Sequence, residues 1–188
     1  MSMLVAGLAI FILIHLVPCF PSMRGSIIAK AGAGAYRGLF SLFSLLGLVL
    51  VVMGLKSAEY VALYDPPAWG RHITYLLVFI AVYLFLSNPI GPAPSSAKYW
   101  TAHPLSWGVI FWSVGHLLSN GDKAHVILFA AFLIYSVVSM YSGNLRGQKP
   151  ALDKRPPIAA ELVFVAVVAV VYVALFWGHR YFTGMPLV

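Results

Sequence analysis

Residues 158–177 read IAAELVFVAVVAVVYVALFW. Glu161, in the first turn, is the only charge in this stretch. About 20 apolar residues is what an α-helix needs to cross the hydrocarbon core of a bilayer. Working outward, five more apolar segments appear at Leu4–Phe20, Leu39–Leu55, His72–Leu86, Pro104–Ser119 and Val126–Tyr141. The third to fifth in chain order are short for a span. They cross if flanking aromatics complete the passage or the bilayer thins locally. The expected fold is all-α: a polytopic integral membrane bundle of about six transmembrane helices in a single domain, 1–188. No internal repeat or low-complexity tail divides it.

Composition agrees. The chain is 61% hydrophobic and 9% charged, with mean hydropathy +0.90; a soluble domain carries about 25% charged residues. The 14% of aromatic residues suits interfacial belts as well as packing. The formal charge of +7 does not point to nucleic acid, because the basic residues cluster in short loops between the apolar segments. There they act as topology signals and as contacts for anionic lipid headgroups. Cys19 is the only cysteine, so neither an intrachain disulfide nor a covalent haem attachment is expected. The N-terminal MSMLVAGLAI has no basic leader and reads as a retained first helix.

Loop charges orient the bundle. Arg24, Lys30, Arg37, Lys98, Arg146, Lys149, Lys154 and Arg155 fall on one side; Lys56, Arg71, Lys123 and Arg180 fall on the other. By the positive-inside rule the first set is cytoplasmic, and both termini lie outside.

Two histidines stand inside apolar segments, His15 in the first and His116 in the fourth. An ionisable side chain at membrane depth is costly and usually has a partner. For a neutral imidazole a metal is a natural one. At ~1.5 Å per residue, His15 lies roughly 16 Å from the outer edge and His116 about 12 Å from it, which makes them the better axial pair for a haem. His103, at the cytoplasmic edge, could cap the fourth helix or hold a haem propionate. Arg24 and Arg37 could pair with propionates or with lipid phosphates, lipid being the default. The bland alternative is that each histidine only hydrogen-bonds a neighbouring helix. Zinc is less suited, since a tetrahedral site needs further ligands nearby. His72, His125 and His179 sit near the outer helix ends and read as interfacial polar residues, although with His116 they could form a second cluster.

Gly47 and Gly54 on the second helix, like Gly108 and Gly115 on the fourth, are seven residues apart and share a face. Small residues let helices approach closely; alternatively they leave room for a flat cofactor beside His116. Glu59, Asp65, Asp122 and Asp153 fall in loops, and no carboxylate pair offers acid–base chemistry. Gly32–Tyr36 (GAGAY) follows no strand and lacks the Lys-Ser/Thr of a phosphate loop. No serine lies in a GxSxG elbow.

His15 in the first helix, YRGLFSLFSLLGL at 36–48, and HPLSWGVIFWSVGHLLSNGD at 103–122 together resemble the NnrU family. The resemblance implies a multi-pass protein of the bacterial inner (cytoplasmic) membrane, associated with denitrification and nitric oxide metabolism. The family resembles the plant 15-cis-zeta-carotene isomerases, which use haem b. Their proposed axial histidines look like the equivalents of His15 and His116, so the implied cofactor is non-covalent, bis-histidine haem b with iron held by these two residues. The resemblance implies a cysteine one turn before the second ligand in the isomerases. Here Ser113 takes that place, which argues against a cysteine ligand switch and against direct transfer of the activity.

Three functions follow as expectations. One is a haem b membrane protein of redox sensing, electron transfer or haem handling, with denitrification reductases among its partners. Another is an enzyme, a haem-dependent isomerase or oxidoreductase, taking an apolar polyene or quinone-like ligand into a lateral cleft lined by the four glycines. The last is a structural partner of a reductase complex with no cofactor. Nucleic acid is not an expected partner.

Overall fold

The structure, a computed structural model, describes residues 1–87, 95–153, 155–184 and 187. Its elements are α1 (Ser2–Leu16), a 3₁₀ turn at Val17–Cys19, α2 (Pro21–Lys56), α3 (Gly70–Leu86), α4 (Ala97–Trp100), α5 (Pro104–Ser119), α6 (Lys123–Leu145) and α7 (Ile158–Thr183). Among the described residues there is no strand, and one isolated β-bridge joins Ala62 to Asp122. The fold is all-helical. Lys154, counted above among the loop charges, lies outside the described residues.

Four helical stretches are long and apolar enough to cross a membrane: Ser2–Cys19, Pro21–Lys56, Lys123–Leu145 and Ile158–Tyr181. α3, with 17 residues, and α5, with 16, are shorter. Six crossings therefore do not follow from helix length alone.

Local sequence explains most boundaries. Pro104 opens α5 behind His103, and Asn120 leaves the helix in an extended conformation. Asp122 caps α6, its Oδ1 accepting from the Ala124 N–H at 3.0 Å and the His125 N–H at 3.4 Å. Gly184 closes α7 with φ 77°.

The second segment differs from expectation. It begins not at Leu39 but at Pro21, so Arg24, Lys30 and Arg37 lie on a helix instead of a loop. The glycines at 25, 32, 34 and 38 mask the helix in the sequence pattern, although Ala, Lys and Arg between them favour it. Only Gly32 departs, with φ 84° and ψ 153°, a region essentially reserved for glycine. It divides α2 into an arm, 21–31, and a shaft, 33–56.

The shaft packs against α1 at backbone contact. A Cβ on Gly47 would lie 2.8 Å from the Phe11 nitrogen, one on Gly7 2.6 Å from the Val51 nitrogen, and one on Gly54 2.6 Å from the Leu4 Cα. α5 lies on α3 through Gly115, whose carbonyl is 2.6 Å from the Thr74 hydroxyl. α7 docks on α3, with Phe164 and Val168 fully buried beside Val82. At its start Glu161 accepts from the Tyr83 hydroxyl, and from Ser96 N–H and Oγ at 2.7 Å each.

These contacts sort the loop charges onto two ends. Arg146 reaches Pro18 and Cys19 carbonyls, Ala151 N–H bonds the Lys98 carbonyl, and Arg155 lies over Tyr99. At the opposite end Leu4 meets Gly54 beside Lys56, the Lys123 N–H bonds Val61, and Tyr75 on α3 donates to the Leu187 carbonyl. The start of α1 and Leu187 are both on this second end.

Candidate cofactor site

α1, α5 and α6 converge on an aromatic cluster with one histidine at each extremity. His15 stacks on Phe11, centroids 4.0 Å apart. Phe11 is 5.5 Å from Phe132 of α6, and Phe132 is 5.7 Å from Trp112 of α5. Trp112 is 5.2 Å from His116, which stacks on Phe129 at 4.5 Å. Three rings thus stand between the two imidazoles, Phe11, Phe132 and Trp112, and the histidines share a cluster without touching each other.

The two histidines repeat one arrangement. His15 Nδ1 is 2.7 Å from the Phe11 carbonyl, and His116 Nδ1 is 2.8 Å from the Trp112 carbonyl. A carbonyl oxygen only accepts, so the proton of each neutral ring sits on Nδ1 and Nε2 carries the lone pair. That is the tautomer a metal-ligating histidine adopts when its other nitrogen bonds a backbone carbonyl. In each case the bonded residue is an aromatic four positions earlier, Phe11-x-x-x-His15 and Trp112-x-x-x-His116. On a helix that spacing puts ring over ring.

The rings are staggered along the bundle. His15 touches Tyr135 (6.0 Å) and His116 touches Phe129; six residues of α6 span about 9 Å. The offset exceeds the one expected from sequence, where His116 is placed inward across a full bilayer. α5 has 16 residues and covers only about 24 Å, so His116, three residues from its end, lies shallower.

Two buried hydroxyls without a hydrogen-bond partner adjoin this region. Ser113 lies one turn before His116 on α5, and Ser136 follows Tyr135 on α6. The donor atoms and tautomers suit axial imidazoles, whereas Phe11, Phe132 and Trp112 fill the space that a shared haem would need between the two rings. Among the described residues no group of three or more His, Cys, Asp or Glu could hold a metal ion.

The remaining expected residues disperse. His103 Nε2 is 2.7 Å from Asn144 Oδ1, at the α5–α6 end away from His116. Arg24 and Arg37 line a different cavity, at the end of the bundle nearest His15, together with Arg146. Gly108 faces Phe85, whose ring a Cβ there would meet at 2.7 Å, and Gly115 faces Thr74 and Leu77. Gly47 and Gly54 are filled by Phe11 and Leu4 of α1 and are not beside His116. A lateral cleft lined by the four glycines is therefore not formed. Instead, α3, α5 and α7 enclose an apolar cavity of about 210 Å³ whose walls include Thr74, Tyr75, Trp112, His116, Tyr172 and Phe176. His179 also lines it. His125 pairs with Asp122 and stacks over Phe129; His72 meets Tyr75.

The sequence model of the family described as NnrU protein matches residues 3–187. The chain belongs to the NnrU family. The matched range covers nearly the whole length of this NnrU member and includes both histidines. No curated protein and no solved structure matches the chain.

Sequence reading missed the aromatics of α6, Phe129, Phe132 and Tyr135, because an apolar helix offers no cue to which face meets a histidine. The aromatic four residues before each histidine was the available signal. Arg146 had none, since only folding brings α6 to the α1–α2 junction.

Proposed function

We propose that this NnrU family member is an integral membrane haem b-binding protein of the bacterial cytoplasmic membrane, serving nitric oxide metabolism and denitrification by redox sensing, electron transfer or haem handling. One observation carries the reading: two imidazoles in one aromatic cluster, each with Nδ1–H tied to the carbonyl of the aromatic one turn earlier. That tie fixes each ring and directs the Nε2 lone pair away from its own helix. His15 and His116 would hold the iron once the intervening rings move aside, and the iron would supply one-electron redox chemistry. Phe11, Phe40 and Tyr135 hold the His15 ring, and Trp112 and Phe129 hold that of His116.

In the proposed topology all six long helices cross, α3 and α5 by local thinning. The two charge groups at opposite ends of the bundle support it. The end with Arg24, Arg37 and Arg146 then faces the cytoplasm, and both termini face outward.

A second reading has its own support. The apolar cavity beside His116 suits the edge of a polyene or quinone-like molecule, as a haem-dependent isomerase or oxidoreductase requires.

The test is a reduced-minus-oxidised absorption spectrum with a pyridine haemochrome assay on the detergent-purified protein and on His15→Ala and His116→Ala. A b-type spectrum that both substitutions abolish is expected. A folded wild type without a Soret band after haem supplementation would leave a structural partner of a reductase complex as the function. Conversion of a tri-cis polyene by the haem-loaded protein would select the isomerase.

A further inference from the structure

We propose that the junction of α1, α2 and α6 is a binding pocket for the phosphate of an anionic phospholipid. A cavity of about 540 Å³ opens there, lined by Arg24, Arg37 and Arg146 with Pro18, Tyr36 and Phe40 among its walls. Among the described residues, three guanidinium groups line it and no carboxylate does, and no ion pair involves an arginine. Like charges gathered without a counter-charge call for an anion, and guanidinium is the group best shaped to hold phosphate oxygens.

The fold holds each arginine partly in place. Arg146 bonds Ser142 Oγ and reaches the Pro18 and Cys19 carbonyls at 3.4 Å. Arg37 Nε donates to the Ala33 carbonyl at 3.3 Å. Arg24 lies over the Tyr36 ring, 5.6 Å from its centroid. This last contact is made by the break at Gly32. In an unbroken helix residues 24 and 36 would be about 18 Å apart along the axis. The conformation at Gly32 turns the arm 21–31 back toward the shaft, so a glycine in the GAGAY run assembles the pocket although the run itself is no phosphate loop.

The surroundings favour a lipid over a free anion. Phe40, Tyr36 and two prolines offer apolar contact to a glycerol backbone. Farther along the shaft Leu42, Leu45 and Leu46 are exposed, as acyl-chain contacts need to be. In the orientation proposed above, this end meets the leaflet whose lipids carry negative charge, where basic pockets between helices bind acidic headgroups. The inference does not depend on what the histidines bind.

The experiment is native mass spectrometry of the full-length protein released from nanodiscs of phosphatidylcholine with phosphatidylglycerol. Selective retention of phosphatidylglycerol is expected, with apparent affinity about tenfold lower in each of Arg24→Gln, Arg37→Gln and Arg146→Gln, the loss of one charge-assisted contact. Gly32→Ala should weaken retention with all three arginines present, whereas Lys56→Gln and Arg180→Gln, at the other end, should not. Arg24 and Arg37 are exposed, so their variants keep the fold, which a thermal melt confirms. Equal retention of both lipids, or retention indifferent to the arginines, would overturn the proposal. So would complete displacement by inorganic phosphate at matched concentration, which would assign the pocket to a free anion. Loss of haem from the arginine variants with lipid retention unchanged would assign it to propionates instead.

Discussion

His116 and Phe129 stack with ring centroids 4.5 Å apart and planes 26° from parallel. The pair joins α5 to α6 and, with the Nδ1 bond to Trp112, leaves the imidazole little rotational freedom. Phe129→Leu keeps apolar bulk and removes the stacked face. It should cost about 1 kcal/mol, the usual worth of an aromatic pair, and lower haem occupancy less than His116→Ala does. Thermal melting and haemochrome content, measured together, check both halves.

Gly47 sets how closely the shaft of α2 approaches α1. A methyl there would lie 2.8–2.9 Å from Phe11 backbone and Cβ atoms, so Gly47→Ala must push α1 outward. Overpacking of this kind costs about 1–3 kcal/mol. Because Phe11 carries the His15 ring, the variant should also perturb any His15-dependent spectrum. Gly34→Ala, which meets nothing within 4 Å, is the matched control and should change neither.

Asp122 is buried, caps α6 and pairs with His125. Asp122→Ala removes the acceptor for two helix N–H groups and should cost about 1 kcal/mol. Asp122→Asn retains the cap and should recover most of the loss. Denaturation midpoints of the three proteins in one detergent decide it.

Tyr64, in the loop between α2 and α3, reaches the Leu117 and Asn120 carbonyls at the end of α5. Burial, and secondarily the Asp122 carboxylate, raise its phenol above the usual value of 10.0. Folding therefore favours the neutral phenol. Its stabilisation is in place below the unfolded value and is lost as pH rises through the raised one. Stability should fall on the alkaline side, and Tyr64→Phe should flatten that decline when melting is followed against pH.

Much of this protein is written locally. Uninterrupted apolar length determined the helices and their all-α class, because a backbone in hydrocarbon must satisfy its own hydrogen bonds. Proline at 104, Asn120-Gly121 and Pro156-Pro157 marked ends that the structure keeps. The two out-of-place histidines and the family resemblance were legible too. Tertiary structure decided what depends on neighbours distant in the chain. It filled the glycine faces with Phe11, Leu4 and Phe85 and inserted Phe132 between the histidine sites. It also moved the apolar cavity to α3, α5 and α7, and set Arg146 beside Arg24 and Arg37. Periodicity says which residues share a helix face, but not which helix that face meets. In a chain apolar nearly all round, only packing makes that choice.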